Sequence, residues 1–138
     1  MRDEGGTERG QLDRMRRVFW VLWSAIALVK LLIAARLPLF VDEAFYWQEG
    51  QHLAAAYSDL PGLTAWLARL GVELGGGNNT LALRAPFLLI AALVPLLVVR
   101  IAAREFGAVR GWLAGCFALL MPLAGSLGLL ALPDAPMA

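Results

Sequence analysis

Two adjacent carboxylates, Asp42 and Glu43, are the residues of this sequence best suited to acid–base chemistry. They follow a long apolar run, and the aromatic residues Phe45, Tyr46 and Trp47 come soon after them. A carboxylate at a membrane surface can act as a general base that removes a proton from an acceptor hydroxyl. Adjacent residues of a helix point about 100° apart, so only one of the two carboxylates is expected to face a substrate.

A structural interpretation of the same pair is also open. Asp42 is a favoured residue type for the N-cap of a helix predicted over residues 44–57. Glu43 would then interact favourably with the dipole of that helix. Both interpretations are compatible with the residue pattern.

Other side chains are candidates for the same site, each with an alternative. Arg84 is suited to bind a phosphate, or it marks the start of a spanning helix at the headgroup level. Lys30 interrupts an apolar run, so it either snorkels to the surface or faces a polar cavity. Tyr46 and Trp47 can stack on a sugar ring, although interfacial aromatic residues need no ligand. Asp59 is either a turn former or a substrate-binding residue.

Several kinds of binding site are not expected. His52 has no second metal-ligating residue at ligand spacing, so no metal site is predicted. The glycines at 75–77 follow an amphipathic segment rather than a strand, which argues against a phosphate-binding glycine loop. The formal net charge is +1, and no nucleic-acid partner is expected.

The composition predicts a lipid bilayer as the main partner of the chain. The 138 residues are 59% hydrophobic, and the mean hydropathy is +0.65. An ordinary soluble domain has roughly 45–50% apolar residues. A small globular core cannot bury that excess. The predicted fold class is therefore all-α integral membrane, with three transmembrane helices plus two interfacial helices.

Apolar runs set the predicted boundaries. Residues 1–17 form a polar tail whose composition is not expected to order itself. Spanning helices are predicted over 18–39, 81–103 and 111–132, each close to the roughly 20 residues that crossing requires. The two interfacial helices, at 44–57 and 63–74, are too short to cross and belong to an outer loop over 40–80.

The arginine distribution predicts the orientation. Five arginines precede the first span, and three (Arg100, Arg104 and Arg110) lie near the end of the second span or between it and the third. Only two (Arg69 and Arg84) lie in the outer loop or near the start of the second span. By the positive-inside rule the N-terminus is cytoplasmic and the 40–80 loop is extracytoplasmic. Two cations near the outer end of the first span oppose this assignment but are outnumbered. Asp134, directly after the third predicted span, then lies on the same side as Asp42 and Glu43.

Taken in order, these motifs resemble the N-terminal part of the GT-C glycosyltransferases, specifically the protein-mannosyltransferase and aminoarabinose-transferase-like group of glycosyltransferase family 39 type. The resemblance runs from about residue 18 to the end. It is carried by the Asp-Glu pair with its following aromatics and by the segments 37–47, 57–67, 83–86 and 132–136.

The resemblance implies a cell-membrane enzyme that transfers a sugar from a polyprenyl-phosphate donor to a hydroxyl acceptor on the outer face, with inversion at the anomeric carbon. By position, Asp42 matches the catalytic base of the family, Glu43 stands beside it, and Asp134 shares the site. Lys30 and Arg84 match partners of the donor phosphate or of the carboxylates. No cofactor is implied, neither nucleotide nor metal, because the lipid phosphate is the leaving group.

The chain departs from the family in two respects. Family members commonly carry Asp-His-Pro-Pro where this sequence has Asp-Leu-Pro-Gly at 59–62. They also have many more spanning helices, so we expect this chain to be the N-terminal portion of a longer transferase. The alternative from another class is a small non-catalytic membrane protein that packs against a larger partner through the small residues of its third helix.

Overall fold

The chain is all-helical in the part that the structure, a computed structural model, describes. The described residues are 4–55, 57, 62–77, 79–121 and 128–133. They contain five helices and no strand. The helices are α1 (Glu4–Arg36), α2 (Val41–Gly50), α3 (Leu63–Leu74), α4 (Thr80–Phe106) and α5 (Ala108–Leu120). The predicted all-α class is confirmed for these residues.

Two of the described helices are long and apolar enough to cross a membrane. The candidate spans are Glu8–Arg36, of 29 residues, and Thr80–Phe106, of 27 residues. Both exceed the roughly 20 residues that a bilayer requires. They contain most of the spans predicted at 18–39 and 81–103.

Helix α1 begins well before the predicted span. The expectation that the polar N-terminal segment would not order itself is wrong for residues 4–17, which are helical. Most residues from Glu8 to Arg17 are good helix formers, and a helix already nucleated by an adjacent apolar run extends at little cost per residue. Leu12 and Met15 are also half-buried, so this extension has apolar contacts.

Helix α5 is shorter than the predicted third span. It has 13 residues and ends before Met121, whose backbone is extended at φ −64° and ψ 134°. Pro122 follows in the sequence, and the residue before a proline is disfavoured in the α conformation. Residues 122–127 lie outside the described part. The third spanning helix therefore stays a prediction.

The two short helices of the predicted outer loop are present. Helix α3 has the predicted bounds, whereas α2 ends at Gly50 instead of continuing over 44–57. Glycine is a poor helix former. The loop after it is held by Tyr57, whose hydroxyl donates to the His52 carbonyl at 2.7 Å and accepts from the Ala54 N–H at 3.2 Å.

The chain divides into two compact units. Unit 1 consists of Met1–Leu28 and Ala92–Gly125, and unit 2 consists of Val29–Ala91 and Ser126–Ala138. Helices α1 and α4 are each divided between the two units.

Unit 1 packs α1, α4 and α5 around a small apolar core. Its buried residues are Phe19, Val99, Cys116 and Leu119. Glycines bring α5 close to its neighbours. A Cβ on Gly111 would overlap Ala103. A Cβ on Gly115 would overlap Val99 and Phe19. Both glycines therefore form close packing contacts within the chain.

Unit 2 packs α3 through its small residues. The buried core is Ala68, Leu83, Phe87 and Ala131. A Cβ on Gly71 would overlap the carbonyl oxygen of Ala82 and the ring of Pro86. Four large apolar residues of α3 are exposed, namely Leu63, Trp66, Leu70 and Leu74, whereas Leu67 and Val72 are half-buried against the core. A small inner face and a large apolar outer stripe suit a helix that lies at a lipid surface.

Gly71→Ala should lower the free energy of unfolding by about 1–3 kcal/mol, because the added methyl group overpacks the contact between α3 and α4. Gly10→Ala is the matched control. Gly10 also lies inside a helix, but its added Cβ would meet no atom within 4 Å. The control should be neutral or slightly stabilising, since alanine is the better helix former. Thermal unfolding in neutral detergent, followed by circular dichroism, measures both, and equal stabilities would contradict the close approach.

Candidate active site

The first turn of α2 places its two carboxylates in different surroundings. The side chain of Asp42 is exposed, whereas Glu43 is fully buried at 0% exposure. The expectation that the two side chains point in different directions is confirmed. Phe40 occupies the N-cap position, so the interpretation of Asp42 as the N-cap is wrong.

Glu43 forms a buried ion pair with Arg84 of α4. The Arg84 Nε donates to Oε1 of Glu43 at 2.7 Å, and Nη2 donates to Oε2 at 2.6 Å. Both side chains are 0% exposed. Two parallel hydrogen bonds of this kind are the strongest geometry for an arginine–carboxylate pair. They fix the start of α2 on α4.

The remaining donors of Arg84 hold the end of α1. Its Nη1 donates to the carbonyl oxygens of Ala34 at 2.7 Å and Leu37 at 3.0 Å. Its Nη2 also donates to the carbonyl oxygen of Pro38 at 2.9 Å. Carbonyls at a helix C-terminus have no partner within the helix. A guanidinium group has five N–H donors, and all five are used here.

The carboxylate of Glu43 is saturated as well. Its Oε2 accepts from the backbone N–H of Phe40 at 3.1 Å. Its Oε1 accepts from the backbone N–H of Ala131 at 2.8 Å. Each oxygen therefore receives two donors, which fills the roughly four acceptor positions of a carboxylate. No acceptor position remains on Glu43 for a substrate hydroxyl.

These contacts keep Glu43 ionised. Burial by itself raises the pKa of the Glu43 carboxyl, because it disfavours the charged form. The hydrogen bonds from Arg84, Ala131 and Phe40, together with the charge of Arg84, outweigh burial and hold the pKa of Glu43 below its usual value. Glu43 is therefore an anion at neutral pH.

The two aromatic candidates on α2 differ in their surroundings. Tyr46 is buried, and its ring lies edge-on to Phe45 at a centroid distance of 5.6 Å. Trp47 lines a cavity of about 180 Å³. The other lining residues are Leu39, Val72, Asn79, Thr80 and Leu83. This lining combines an aromatic ring and aliphatic groups with one amide and one hydroxyl side chain.

The remaining predicted site residues are only partly located. Lys30 lies half-buried in α1. Asp59 and Asp134 lie outside the described residues. The segment that leads to Asp134 is described, and its buried Ala131 is bound to Glu43. The structure thus brings together Glu43, Arg84 and this segment, with Asp42 next to them in α2.

Backbone groups that residue types could not predict complete the site. They are the carbonyls of Ala34, Leu37 and Pro38 and the N–H groups of Phe40 and Ala131. Backbone groups have no residue-type signature. One residue type close to Ala131 was informative, the glycine at position 128. Gly128 has a φ of +70°, and a Cβ there would overlap the backbone of Phe87. Only glycine readily combines such a φ with such a close approach.

Arg84→Leu should lower the free energy of unfolding by about 3–5 kcal/mol, because it leaves a buried carboxylate without its cation and three carbonyls without donors. Adding Glu43→Leu should recover part of that loss, since the unpaired charge is then gone. Arg69→Leu is the matched control. It removes a partly exposed ion pair with Glu73 of 2.7 Å and a hydrogen bond of 3.2 Å to the Gly50 carbonyl, which together should cost about 1–2 kcal/mol. Equal losses from the two single variants in a detergent unfolding titration would contradict the assigned role of Arg84.

Stability should also depend on pH through Glu43. Its pKa is lower in the folded chain than in the unfolded chain, so its stabilising contribution is complete above the unfolded value of about 4.3. The contribution is lost as the pH falls below about 4.3 and through the folded pKa, since the unfolded state then binds more protons. The difference in melting temperature between the native chain and Glu43→Gln should therefore shrink between pH 5 and 3. A difference that stays constant over this range would contradict the assignment.

Comparison with known proteins identifies the family. Residues 59–138 match the family model of dolichyl-phosphate-mannose-protein mannosyltransferase. The matched part includes Arg84 and the segment after α5, whereas Asp42 and Glu43 precede it. No curated protein and no solved structure matches the chain. The match covers more than half of the chain and confirms the resemblance to protein mannosyltransferases, so the chain belongs to the dolichyl-phosphate-mannose-protein mannosyltransferase family, whose members are GT-C membrane glycosyltransferases.

Proposed function

We propose that this chain carries the general base of a membrane glycosyltransferase, which transfers a sugar from a polyprenyl-phosphate donor to a hydroxyl acceptor on the outer face of the membrane. Membership of the mannosyltransferase family supports a lipid-linked mannose-type donor. One observation carries the assignment of the base. Glu43 is saturated by hydrogen-bond donors, while its neighbour Asp42 is exposed.

Asp42 takes the proton of the acceptor hydroxyl while the hydroxyl oxygen attacks the anomeric carbon of the donor. The bond between that carbon and the phosphate oxygen breaks, and its electron pair leaves on the polyprenyl phosphate. Attack from the face opposite to the phosphate inverts the configuration. A positioned general base contributes about 10²–10⁴-fold to such a rate. The exposed side chain can then release its proton to water.

Glu43 and Arg84 are positioning residues in this proposal. Their contacts hold Asp42 at the start of α2, in a fixed relation to α4. The five N–H groups of Arg84 are used within the chain, which favours its role as carboxylate partner over that of phosphate ligand. By sequence position, Lys30 remains the candidate partner of the donor phosphate.

Asp134 is proposed to share the site with Asp42. The support is chain connectivity. The N–H of Ala131 is hydrogen-bonded to Glu43, and Asp134 follows three residues later, so the two Cα atoms are at most about 11 Å apart. A second carboxylate within that distance can orient the acceptor.

The cavity beside Trp47 is proposed to hold a sugar ring. An aromatic face suits the apolar side of a pyranose, and the amide of Asn79 and the hydroxyl of Thr80 suit its hydroxyl groups. Tyr46 and Asp59 remain candidate substrate-binding residues by sequence position.

The proposed topology follows from two crossings. If α1 and α4 both span the bilayer, the segment between them, which carries Asp42 and the short helices α2 and α3, lies on one side. The arginine excess near the other ends of α1 and α4 favours the outer side for that segment. A third span from α5 onward returns the chain to the same side.

The alternative of a non-catalytic protein that docks through the small residues of its third helix has less support. Gly111 and Gly115 of α5 face Ala103, Val99 and Phe19 of the same unit. Their close-packing surface is already occupied within the chain.

Asp42→Asn should reduce sugar transfer by about 10²–10⁴-fold, because the amide cannot accept the acceptor proton. Its melting temperature should not change, since Asp42 is exposed. Transfer of radiolabelled mannose from polyprenyl-phosphate mannose, in membranes of cells that express the native protein, is the measurement. Glu73→Gln is the matched control, an exposed carboxylate on α3 that should keep full activity. Full activity of Asp42→Asn would remove Asp42 from the role of base.

A further inference from the structure

Five exposed arginines of unit 1 form a surface that the proposed reaction does not use. They are Arg14, Arg16 and Arg17 of α1, Arg104 of α4 and Arg110 of α5. We call this group the basic end of unit 1. Each of its members has an exposed side chain.

Packing places these arginines at one end of the unit. Phe19 of α1 packs on Val99 of α4, and Trp23 donates from Nε1 to the Ala92 carbonyl at 2.8 Å. Later residues of α1 thus contact earlier residues of α4, so the two helices run antiparallel. Residues before Phe19 therefore lie at the same end as residues after Val99.

Helix α5 brings its arginine to the same end. Gly111 packs on Ala103, and Gly115 packs on Val99, so α5 runs antiparallel to α4. Arg110 directly precedes Gly111, and Arg104 directly follows Ala103. The arginines of all three helices therefore lie at the same end of the unit.

The basic end is not neutralised by the described part of the chain. No arginine of the basic end forms an ion pair with another described residue. Two members of the basic end use one donor each on a backbone carbonyl, Arg17 on Asp13 at 3.3 Å and Arg110 on Phe106 at 3.4 Å. Four acidic residues, Glu4, Glu8, Asp13 and Glu105, lie at the same end, but Arg9 brings the arginines there to six, so an excess of positive charge remains.

A cluster of tryptophans lies immediately beside the basic end. The ring centroids of Trp20 and Trp23 are 5.5 Å apart, and those of Trp20 and Trp112 are 6.4 Å apart. Trp20 is 40% exposed. Tryptophan is enriched at the membrane–water interface, where its ring sits at the level of the headgroups. The arginines next to these rings are therefore at the depth of lipid phosphates.

We propose that the basic end is a binding surface for anionic phospholipid headgroups in the leaflet that faces the N-terminus. Guanidinium groups bind phosphate oxygens through paired N–H donors. Three helices contribute, so bound headgroups would bridge the N-terminal half of α1, the start of α5 and the end of α4. All members of this surface belong to unit 1, whereas Asp42 and Glu43 belong to unit 2, and the test of the surface does not depend on transfer activity.

The test is native mass spectrometry of the full chain in neutral detergent, with phosphatidylglycerol or phosphatidylcholine added at equal concentration. We expect phosphatidylglycerol to be retained preferentially. The triple variant Arg14→Gln, Arg17→Gln, Arg104→Gln should lose roughly 100-fold in apparent affinity, because each exposed arginine contributes about fivefold. Arg69→Gln, a variant of a paired arginine in unit 2, should retain native binding.

Two further measurements separate loss of charge from misfolding and lipid binding from simple phosphate binding. The corresponding triple lysine variant keeps the charge and should retain most of the binding, which guards against loss of binding through misfolding. Inorganic phosphate at the concentration of the lipid should not compete. Equal retention of the two lipids, unchanged binding by the glutamine variant, or displacement by inorganic phosphate would each overturn the proposal.

Discussion

The buried ion pair between Glu43 and Arg84 is the constraint on which the rest of unit 2 depends. Removing two charges from water costs several kcal/mol per ion, and the chain offsets this cost only if every donor and acceptor of the pair is satisfied. Here the partners come from the end of α1, the start of α2, helix α4 and the segment around Ala131. None of these segments can shift alone without leaving a buried polar group unpaired. The position of Asp42, one residue from Glu43, follows from that requirement.

A lipid environment explains how the small and large residues of this chain are arranged. In water, leucine and tryptophan side chains would be buried and alanine and glycine would be tolerated outside. In α3 the arrangement is the reverse, since Ala65, Ala68 and Gly71 are buried while Leu70 and Leu74 are exposed. Exposure of leucine to hydrocarbon carries little penalty, so close packing rather than burial of apolar surface selects the contact face.

The parts of the fold that follow from local composition could be predicted, and those that depend on distant contacts could not. Apolar runs predicted α1 and α4 as spans, and helical spacing predicted the bounds of α3. The N-terminal extension of α1 was missed because polar composition alone does not distinguish a tail from a continued helix. The partner of Glu43 stands 41 residues away, a separation at which residue types give no pairing signal. Helical geometry predicted that Asp42 and Glu43 point in different directions, but it predicted neither which of the two is buried nor the contact of Glu43 with Arg84.

The contact between Ala131 and Glu43 also sets an order of assembly during biosynthesis. Glu43 is translated first, but the guanidinium that neutralises it is added 41 residues later, which takes roughly 2–8 s at ordinary elongation rates. The last donor, 88 residues downstream, arrives later still. During that interval an ionised Glu43 has no guanidinium partner, so a position in hydrocarbon would be costly for it. The buried centre is complete only once the segment at Ala131 has been synthesised.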